Sequence, residues 1–342
     1  GVFDLAVELP DPYVPRRLTF EIPERINAEG GIELDLDEQK TKEIINDLNT
    51  MNIEAIAVSL LWSIANPQHE LKVAELLEKF SPNIPYTLSH RLNPIIREFP
   101  RTSSAAIDAS LKPLMQQHLR DLESDLRNSN YTGEILISVC TGGVMHVQDV
   151  IEKPIYTVKS GPAMAPVASI AYSSADNLGK DIIVVDTGGT TFDVSLIREG
   201  QIKYSRDTWL LGEWTGHLLG LSSVDIRSVG AGGGSIAWID SGGLLRVGPQ
   251  SSGANPGPAC YSQGGKEPTV TDAAVVLGYI DPNFFLGSRM KLDKKAAIES
   301  IKTISEELSL SVEETADAII TLAGENMIRS IHEITVQDGV NP

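Results

Sequence analysis

Asp186-Thr187-Gly188-Gly189-Thr190-Thr191-Phe192-Asp193 brings together the residue types that phosphate chemistry needs, at the spacing of a tight turn. Gly188 and Gly189 lack Cβ atoms, so backbone N–H groups there can approach an anion closely, and Thr190 and Thr191 add hydroxyl donors. Thr187, Gly188, Gly189, Thr190 and Thr191 are therefore the candidate phosphate cradle. Asp186 and Asp193 flank it as hard oxygen ligands suited to the Mg²⁺ that accompanies a nucleoside triphosphate. Both are candidate catalytic groups, and Asp186 is the candidate metal ligand. The flanking residues supply the strands that hold this turn. Ile182–Val185 is β-branched throughout and predicts a buried strand in the core of a sheet, with Asp186 at its carboxyl edge. Phe192–Ile197 predicts a second strand, and beyond Glu199-Gly200 a further strand-like run covers Gln201–Ser205. A P-loop would open a helix and end in Gly-Lys-Ser/Thr, which this turn does not.

At these residues the chain resembles the actin-like ATPase superfamily. Asp186–Leu196 is similar to that superfamily's second phosphate loop, and Ser160-Gly161-Pro162-Ala163-Met164-Ala165-Pro166-Val167-Ala168-Ser169-Ile170-Ala171-Tyr172 looks like its small-residue-rich connecting helix. The resemblance implies an α/β, actin-like ATPase (ribonuclease H-like) fold, with mixed sheets flanked by helices. The plain alternative for the turn is a Gly-Asp bend in an ordinary α/β sheet.

A narrower resemblance, to the hydantoinase A/oxoprolinase family, covers nearly the whole chain. It rests on Arg97-Glu98-Phe99-Pro100-Arg101-Thr102-Ser103, the run Val229-Gly230-Ala231-Gly232-Gly233-Gly234-Ser235-Ile236-Ala237, Gly253-Ala254-Asn255-Pro256-Gly257-Pro258-Ala259-Cys260-Tyr261 and Glu267-Pro268-Thr269-Val270-Thr271-Asp272, in the family's order. It implies a subunit that uses ATP and Mg²⁺ to activate a cyclic amide or ketone carbonyl by phosphorylation. A second, B-type subunit would then complete ring opening or carboxylation. The pattern also departs from the family's. No first phosphate loop of Asp-x-Gly-Gly-Thr-x-Thr-Asp type precedes Asp186, no Gly-Gly-Ala-Gly-Pro adenosine stretch follows, and the chain starts at Gly1 without Met and stops at Asn341-Pro342. A central fragment, truncated at both ends and inactive alone, is the expectation. The family's Asp-x-His-Thr is Asp225-Ile226-Arg227-Ser228 here, which removes the His from consideration.

Composition is compatible with these readings. A chain of 342 residues with 42% hydrophobic content can build a sizeable core. A formal net charge of −18 argues against a nucleic-acid or anionic-membrane surface. Cys140 and Cys260 stand far apart outside any metal-ligand spacing, which suits buried, inert thiols in a reducing compartment. With no long apolar run and no signal-peptide pattern from Gly1 onward, a cytoplasmic location is expected.

Two α/β blocks are expected, residues 1–155 and 156–342. In the first, Ile53–Leu61 predicts a strand, and Asn66-Pro67 supplies an N-cap and first-turn proline for a helix over 68–80. Ser103–Leu126 predicts a helix with a possible kink at Pro113, and Glu134–Cys140 predicts a strand leading into Thr141-Gly142-Gly143, read as a strand-to-helix turn or a cleft-lining loop. In the second, Gly232, Gly233 and Gly234 form either an anion nest that receives phosphate or a hairpin bend between strands 224–229 and 236–240. Helices are expected over 292–308 and 312–337.

Weaker candidates remain. His69, His90, His118, His146, His217 and His332 share no ligand spacing, which leaves a zinc site unsupported. His217 lies in a polar loop beside Trp214, which either covers substrate or plugs a cavity. Arg101 either holds a phosphate or substrate carboxylate or pairs with Glu98. Asp272 either caps a helix or contributes to cleft chemistry, the cap being favoured. The function expected is that of an ATP-dependent hydantoinase/oxoprolinase-type subunit. The alternatives are a ketone carboxylase subunit and, in another class, an actin-like nucleotide switch or scaffold.

Overall fold

The computed structural model describes residues 11–211, 216–337 and 339–340. Trp214 lies outside them, and so does the reading of its role. The chain divides into two compact units, Gly1–Met164 with Tyr204–Val224, and Ala165–Lys203 with Asp225–Pro342. Among the described residues no helix is long and apolar enough to cross a membrane.

The first unit is built around a β-α-β element. Strand β1 (Ile56–Val58) and strand β2 (Tyr86–Leu88) pair in parallel, Ile56 opposite Tyr86 and Val58 opposite Leu88. A parallel pair needs a crossover, and helix α1 (Gln68–Phe80) supplies it. The helix spans the expected residues, but Pro67 rather than Asn66 is its N-cap, one residue later than the Asn-Pro signal implied; Asn66 Oδ1 accepts the Gln68 amide at 3.1 Å from just outside. Val73, Leu76 and Leu77 of α1 close on Val58 and Leu88 in the core. The strand expected over 53–61 is only three residues long. It ends because the Leu60 amide and carbonyl are claimed by side chains, Glu70 Oε1 at 2.9 Å and Arg101 Nη2 at 2.6 Å, instead of by a neighbouring strand.

Helix α2 (Glu98–Asn128) runs through Pro113 and packs against both strands. The Gly142 turn joins strand β3 (Leu136–Ser138) to strand β4 (Val144–His146) as an antiparallel hairpin. The expected strand-to-helix connection is thus corrected: φ of +76° at Gly142 turns the chain back on itself before the next helix begins at Val147. Cys140 is buried, and burial pushes its thiol up to about 11.

The second unit opens within helix α3 (Ser160–Asp176), the predicted small-residue helix. Strand β5 (Ile182–Thr187) and strand β6 (Phe192–Arg198) then form an antiparallel hairpin, followed by strand β7 (Gln201–Ile202) paired to β6. Strand β8 (Ile226–Val229) pairs with the other edge of β6, giving the path β8-β6-β5. Strand β9 (Ser235–Ile239) pairs with strand β10 (Leu245–Ser251). The reading of Gly232–Gly234 as a hairpin bend therefore fails, since the strands on either side of it take different partners. Helix α4 (Val270–Val276), helix α5 (Lys294–Leu308) and helix α6 (Val312–Gln337) complete the unit.

Helix α6 packs on β6, β8 and β10. Phe192, Val194 and Leu196 on one face of β6 meet Ile334 of that helix. The prediction of a buried β5 needs correction, because β5 is the edge of this sheet. Val184 is buried, but Ile183 is 36% and Val185 51% exposed. Four β-branched residues in a row signal a strand equally well at an edge and at the centre, so the run could not tell the two apart. Cys260 is buried in the core beneath β9 and β10, where burial pushes its thiol far up.

Candidate functional site

Strands β5 and β6 are in direct register, Asp186 opposite Asp193 and Thr187 opposite Phe192, with residues 188–191 as the turn. Residues directly opposite in an antiparallel ladder project to the same face, so the two carboxylates stand side by side. Ser228 of β8 lies opposite Asp193 on its other flank. Asp186, Asp193 and Ser228 thus form one row across three strands. Sequence reasoning missed Ser228, treating it only as part of a departure from a family pattern. The strand register that would have exposed it becomes visible only once β8 is known to pair with β6.

Like charges directly opposite one another destabilise a sheet. Two features bear on whether a cation fits between them. Asp193 is 9% exposed, and its Oδ1 is buried without a hydrogen-bond partner, while Oδ2 accepts from Thr191 Oγ1 at 3.1 Å. An orphaned buried carboxylate oxygen is costly unless something positive completes it. Asp186 is exposed and makes no hydrogen bond among the described residues. Two carboxylates and a serine fit a Mg²⁺ that keeps most of its waters and takes its remaining ligands from phosphate. They do not fit a metal held by protein alone. Consistently, no cluster of three or more His, Cys, Asp or Glu able to hold a metal occurs among the described residues.

The turn itself is tied by a Gly188 N–H bond to the Thr191 carbonyl at 2.8 Å. That leaves the amides of Gly189 and Thr190, and the Thr190 hydroxyl, exposed and without a partner among the described residues. Open amides in a turn beside hydroxyls are what an anion-binding nest requires. A Cβ at Gly189 would meet nothing within 4 Å, so the turn has open space in front of it.

Gly232, Gly233 and Gly234 are brought to this turn, but from behind. The Gly233 amide donates to the Gly188 carbonyl at 3.0 Å, and the Gly234 amide donates to the Gly189 carbonyl at 2.6 Å. Gly233 in turn accepts from the Thr271 amide and hydroxyl, both at 2.8 Å. A Cβ on Gly232 would lie 2.6 Å from Thr190 N. The anion-nest reading is thus altered for Gly233 and Gly234, whose amides already have partners. The triplet is a bracket that fixes the 188–191 turn.

The remaining candidates make contacts within the fold. Arg101 is 0% exposed and donates to the Ser89 hydroxyl (3.0 Å), the Ile95 carbonyl (3.1 Å) and the Leu60 carbonyl (2.6 Å). It neither pairs with Glu98 nor faces solvent, so both readings of it are corrected; a guanidinium has enough donors to satisfy several carbonyls at once. Asp272 is fully buried as the third residue of a capping box whose N-cap is Thr269. Its carboxylate also accepts the amides of Ala259 (3.2 Å) and Cys260 (2.8 Å), so it is structural, as favoured, one turn further in than an N-cap. Arg227 and Lys203 flank Asp225 at 3.7 and 3.2 Å. His217 packs edge-on against Tyr13, ring centroids 5.0 Å apart.

Comparison with known proteins shows the family of the chain. Residues 101–342 match the hydantoinase/oxoprolinase family model, and residues 2–81 match the hydantoinase/oxoprolinase N-terminal region. The chain belongs to the hydantoinase/oxoprolinase family. It is 34% identical to the caprolactamase subunit alpha of Pseudomonas jessenii, over 96% of this chain and 47% of that subunit. The crystal structure of ATP-dependent caprolactamase from that organism aligns with a TM-score of 0.76 over 99% of this chain and 49% of that one. Identity to the acetophenone carboxylase gamma subunit of Aromatoleum aromaticum is 36%, over 97% of this chain and 46% of that subunit. A nucleotide-free acetone carboxylase structure aligns with a TM-score of 0.86 at 28% identity, covering 97% of this chain and 46% of that one. The α/β fold of mixed sheets flanked by helices is therefore shared with these enzymes. The chain spans about half the length of the curated relatives it matches.

Proposed function

We propose that this chain forms the nucleotide-phosphate site of an ATP-dependent hydantoinase/oxoprolinase-type subunit, one that activates a cyclic amide carbonyl by phosphorylation before ring opening. The observation that carries the reading is the registered Asp186–Asp193 pair, with its orphaned buried Oδ1, beneath a turn whose Gly189 and Thr190 amides are open.

In this reading Asp186 and Asp193 hold Mg²⁺ and order its waters, with Ser228 beside them. The amides of Gly189 and Thr190 and the hydroxyls of Thr187 and Thr190 cradle phosphate oxygens, while the Thr191 hydroxyl stays on Asp193 Oδ2. Gly232, Gly233 and Gly234 keep the turn in place behind them. MgATP, when bound, would supply the phosphoryl group that, placed on the amide oxygen, makes the ring carbonyl carbon open to attack by water. The chain's own contribution is positioning and charge neutralisation, which is what phosphoryl transfer chiefly needs. Hydrogen-bond donors already fixed around the phosphates cost no reorganisation when charge moves. A second, B-type subunit completes ring opening, in keeping with the subunit names carried by the relatives.

The ketone carboxylase reading is kept as a second possibility, because the acetone carboxylase structure aligns with the higher TM-score, 0.86 against 0.76. One assay separates the readings, including that of a nucleotide switch: ATP hydrolysis by this subunit assembled with its partner, challenged with lactams, hydantoins, oxoproline and ketones. We expect hydrolysis that depends on a cyclic amide. Dependence on a ketone and bicarbonate would select the carboxylase, and hydrolysis indifferent to every substrate would select the switch.

A further inference from the structure

A polar cluster at the carboxyl ends of β1 and β2, in the first unit, takes no part in phosphate binding. Glu70 of α1 is 0% exposed. Its Oε1 accepts from the Ser89 hydroxyl (2.6 Å) and the Leu60 amide (2.9 Å), and its Oε2 from the His90 amide (3.2 Å) and His90 Nδ1 (2.6 Å). Burial pushes this carboxyl up, but the hydrogen bonds from His90, Ser89 and the two amides outweigh it and hold the group below the ordinary glutamate value. Glu70 is therefore a carboxylate. An acceptor-only oxygen at 2.6 Å from Nδ1 requires the proton to sit on Nδ1. With the proton on Nδ1, the one ring nitrogen that can accept is Nε2, and Nε2 has no hydrogen-bond partner among the described residues. The side chain is 12% exposed, so Nε2 is shielded from bulk water without being sealed.

The surroundings hold this arrangement rigid. Arg101 binds Ser89, Leu60 and Ile95 from behind, fixing the chain where it leaves both strands. One residue on from Arg101 and one before Leu60, the hydroxyls of Thr102 and Ser59 share a hydrogen bond of 2.7 Å near the surface. The loop leaving β1 carries Trp62 at φ +52°, a left-handed conformation uncommon for a bulky residue and concentrated at functional sites. The carboxyl ends of parallel strands are also where α/β folds place ligands.

We infer that this cluster is a recognition site for a neutral cyclic amide, whose ring N–H is accepted by His90 Nε2. A ring amide is cis and presents N–H and C=O side by side, so a fixed acceptor at Nε2 matches its N–H, and the Ser59–Thr102 hydroxyl pair lies on chain segments adjoining Leu60 and Arg101 of the cluster. A ketone has no N–H to offer. A site built to bond a substrate N–H discriminates strongly against an analogue that lacks it, because the buried partner is left unpaired. The inference takes its substrate class from the proposed function, but the binding step needs no nucleotide and can fail or succeed independently.

The test is a titration of the intact chain with ε-caprolactam and with N-methylcaprolactam, without nucleotide, followed by the ring ¹⁵N resonances of His90. Caprolactam is expected to shift Nε2 saturably, with Nδ1 protonated throughout, and the N-methyl compound to bind at least about tenfold more weakly. His90→Gln, checked for folding by circular dichroism, should lose the caprolactam response at the neighbouring Ser89 and Thr102 amides. No His90 shift at the solubility limit of caprolactam overturns the inference, as do equal responses to the two compounds. A His90 response in a protein whose assembled complex shows no lactam-dependent ATP hydrolysis would leave this site standing and sink the phosphorylation reading. Lactam-dependent hydrolysis with an unresponsive His90 would do the reverse.

Discussion

Asp186→Asn is expected to lower substrate-dependent ATP hydrolysis by at least about 100-fold in the assembled enzyme, because it removes a full charge from the proposed metal site. The same change should leave folding intact. Asp186 is exposed, without a hydrogen bond among the described residues, and faces a second carboxylate across the ladder. Relieving that like-charge pair should raise stability by a few tenths of a kcal/mol, on the order of other cross-strand charge effects. Steady-state turnover and urea unfolding of the same variant give both numbers. Loss of activity with gain of stability is the signature of a functional carboxylate, whereas unchanged turnover would place the metal elsewhere.

Gly232→Ala has a different expected signature. Its Cβ would stand 2.6 Å from Thr190 N and C and 2.7 Å from the Gly188 carbonyl oxygen, all backbone atoms of the phosphate turn. No side chain can swing away to make room, so the bracket and the turn must separate. We expect a loss of about 3 kcal/mol, at the upper end of ordinary overpacking, together with a fall in turnover. Gly189→Ala is the matched contrast. Its Cβ would meet nothing within 4 Å, so stability should change by less than about 0.5 kcal/mol while the methyl group obstructs the approaching anion. Equal unfolding midpoints for Gly232→Ala and the unsubstituted chain would show that the bracket is not needed.

The hairpin and its turn were legible in the sequence because their signals are local. β-branched runs, a Gly-Gly pair and flanking carboxylates lie within sixteen residues, 182–197, and the structure sets them in the expected antiparallel register. The helices over 68–80 and 312–337 were legible for the same reason, through periodicity and an Asn-Pro start. What could not be read depended on partners distant in sequence. The edge position of β5 is decided by which strands pair with β6, and the exposure of Ile183 and Val185 follows from it. The support role of Gly233 and Gly234 depends on carbonyls some 45 residues earlier, Gly188 and Gly189. Arg101 looked like a ligand-binding cation because a sequence shows charge and not burial. Only the converging carbonyls of Leu60 and Ile95 reveal it as an internal brace.

Binding of a metal–phosphate complex by the 187–191 turn, with Asp186 and Asp193, is tested by paramagnetic broadening of the chain's amide resonances by Mn²⁺ in the presence of ATP, compared with Mg²⁺ and ATP. Broadening is expected to centre on residues 187–193 and 228 and to be abolished by Asp193→Asn, whose buried Oδ1 has no other partner. Broadening centred elsewhere, or broadening at the turn that survives Asp193→Asn unchanged, would contradict such binding.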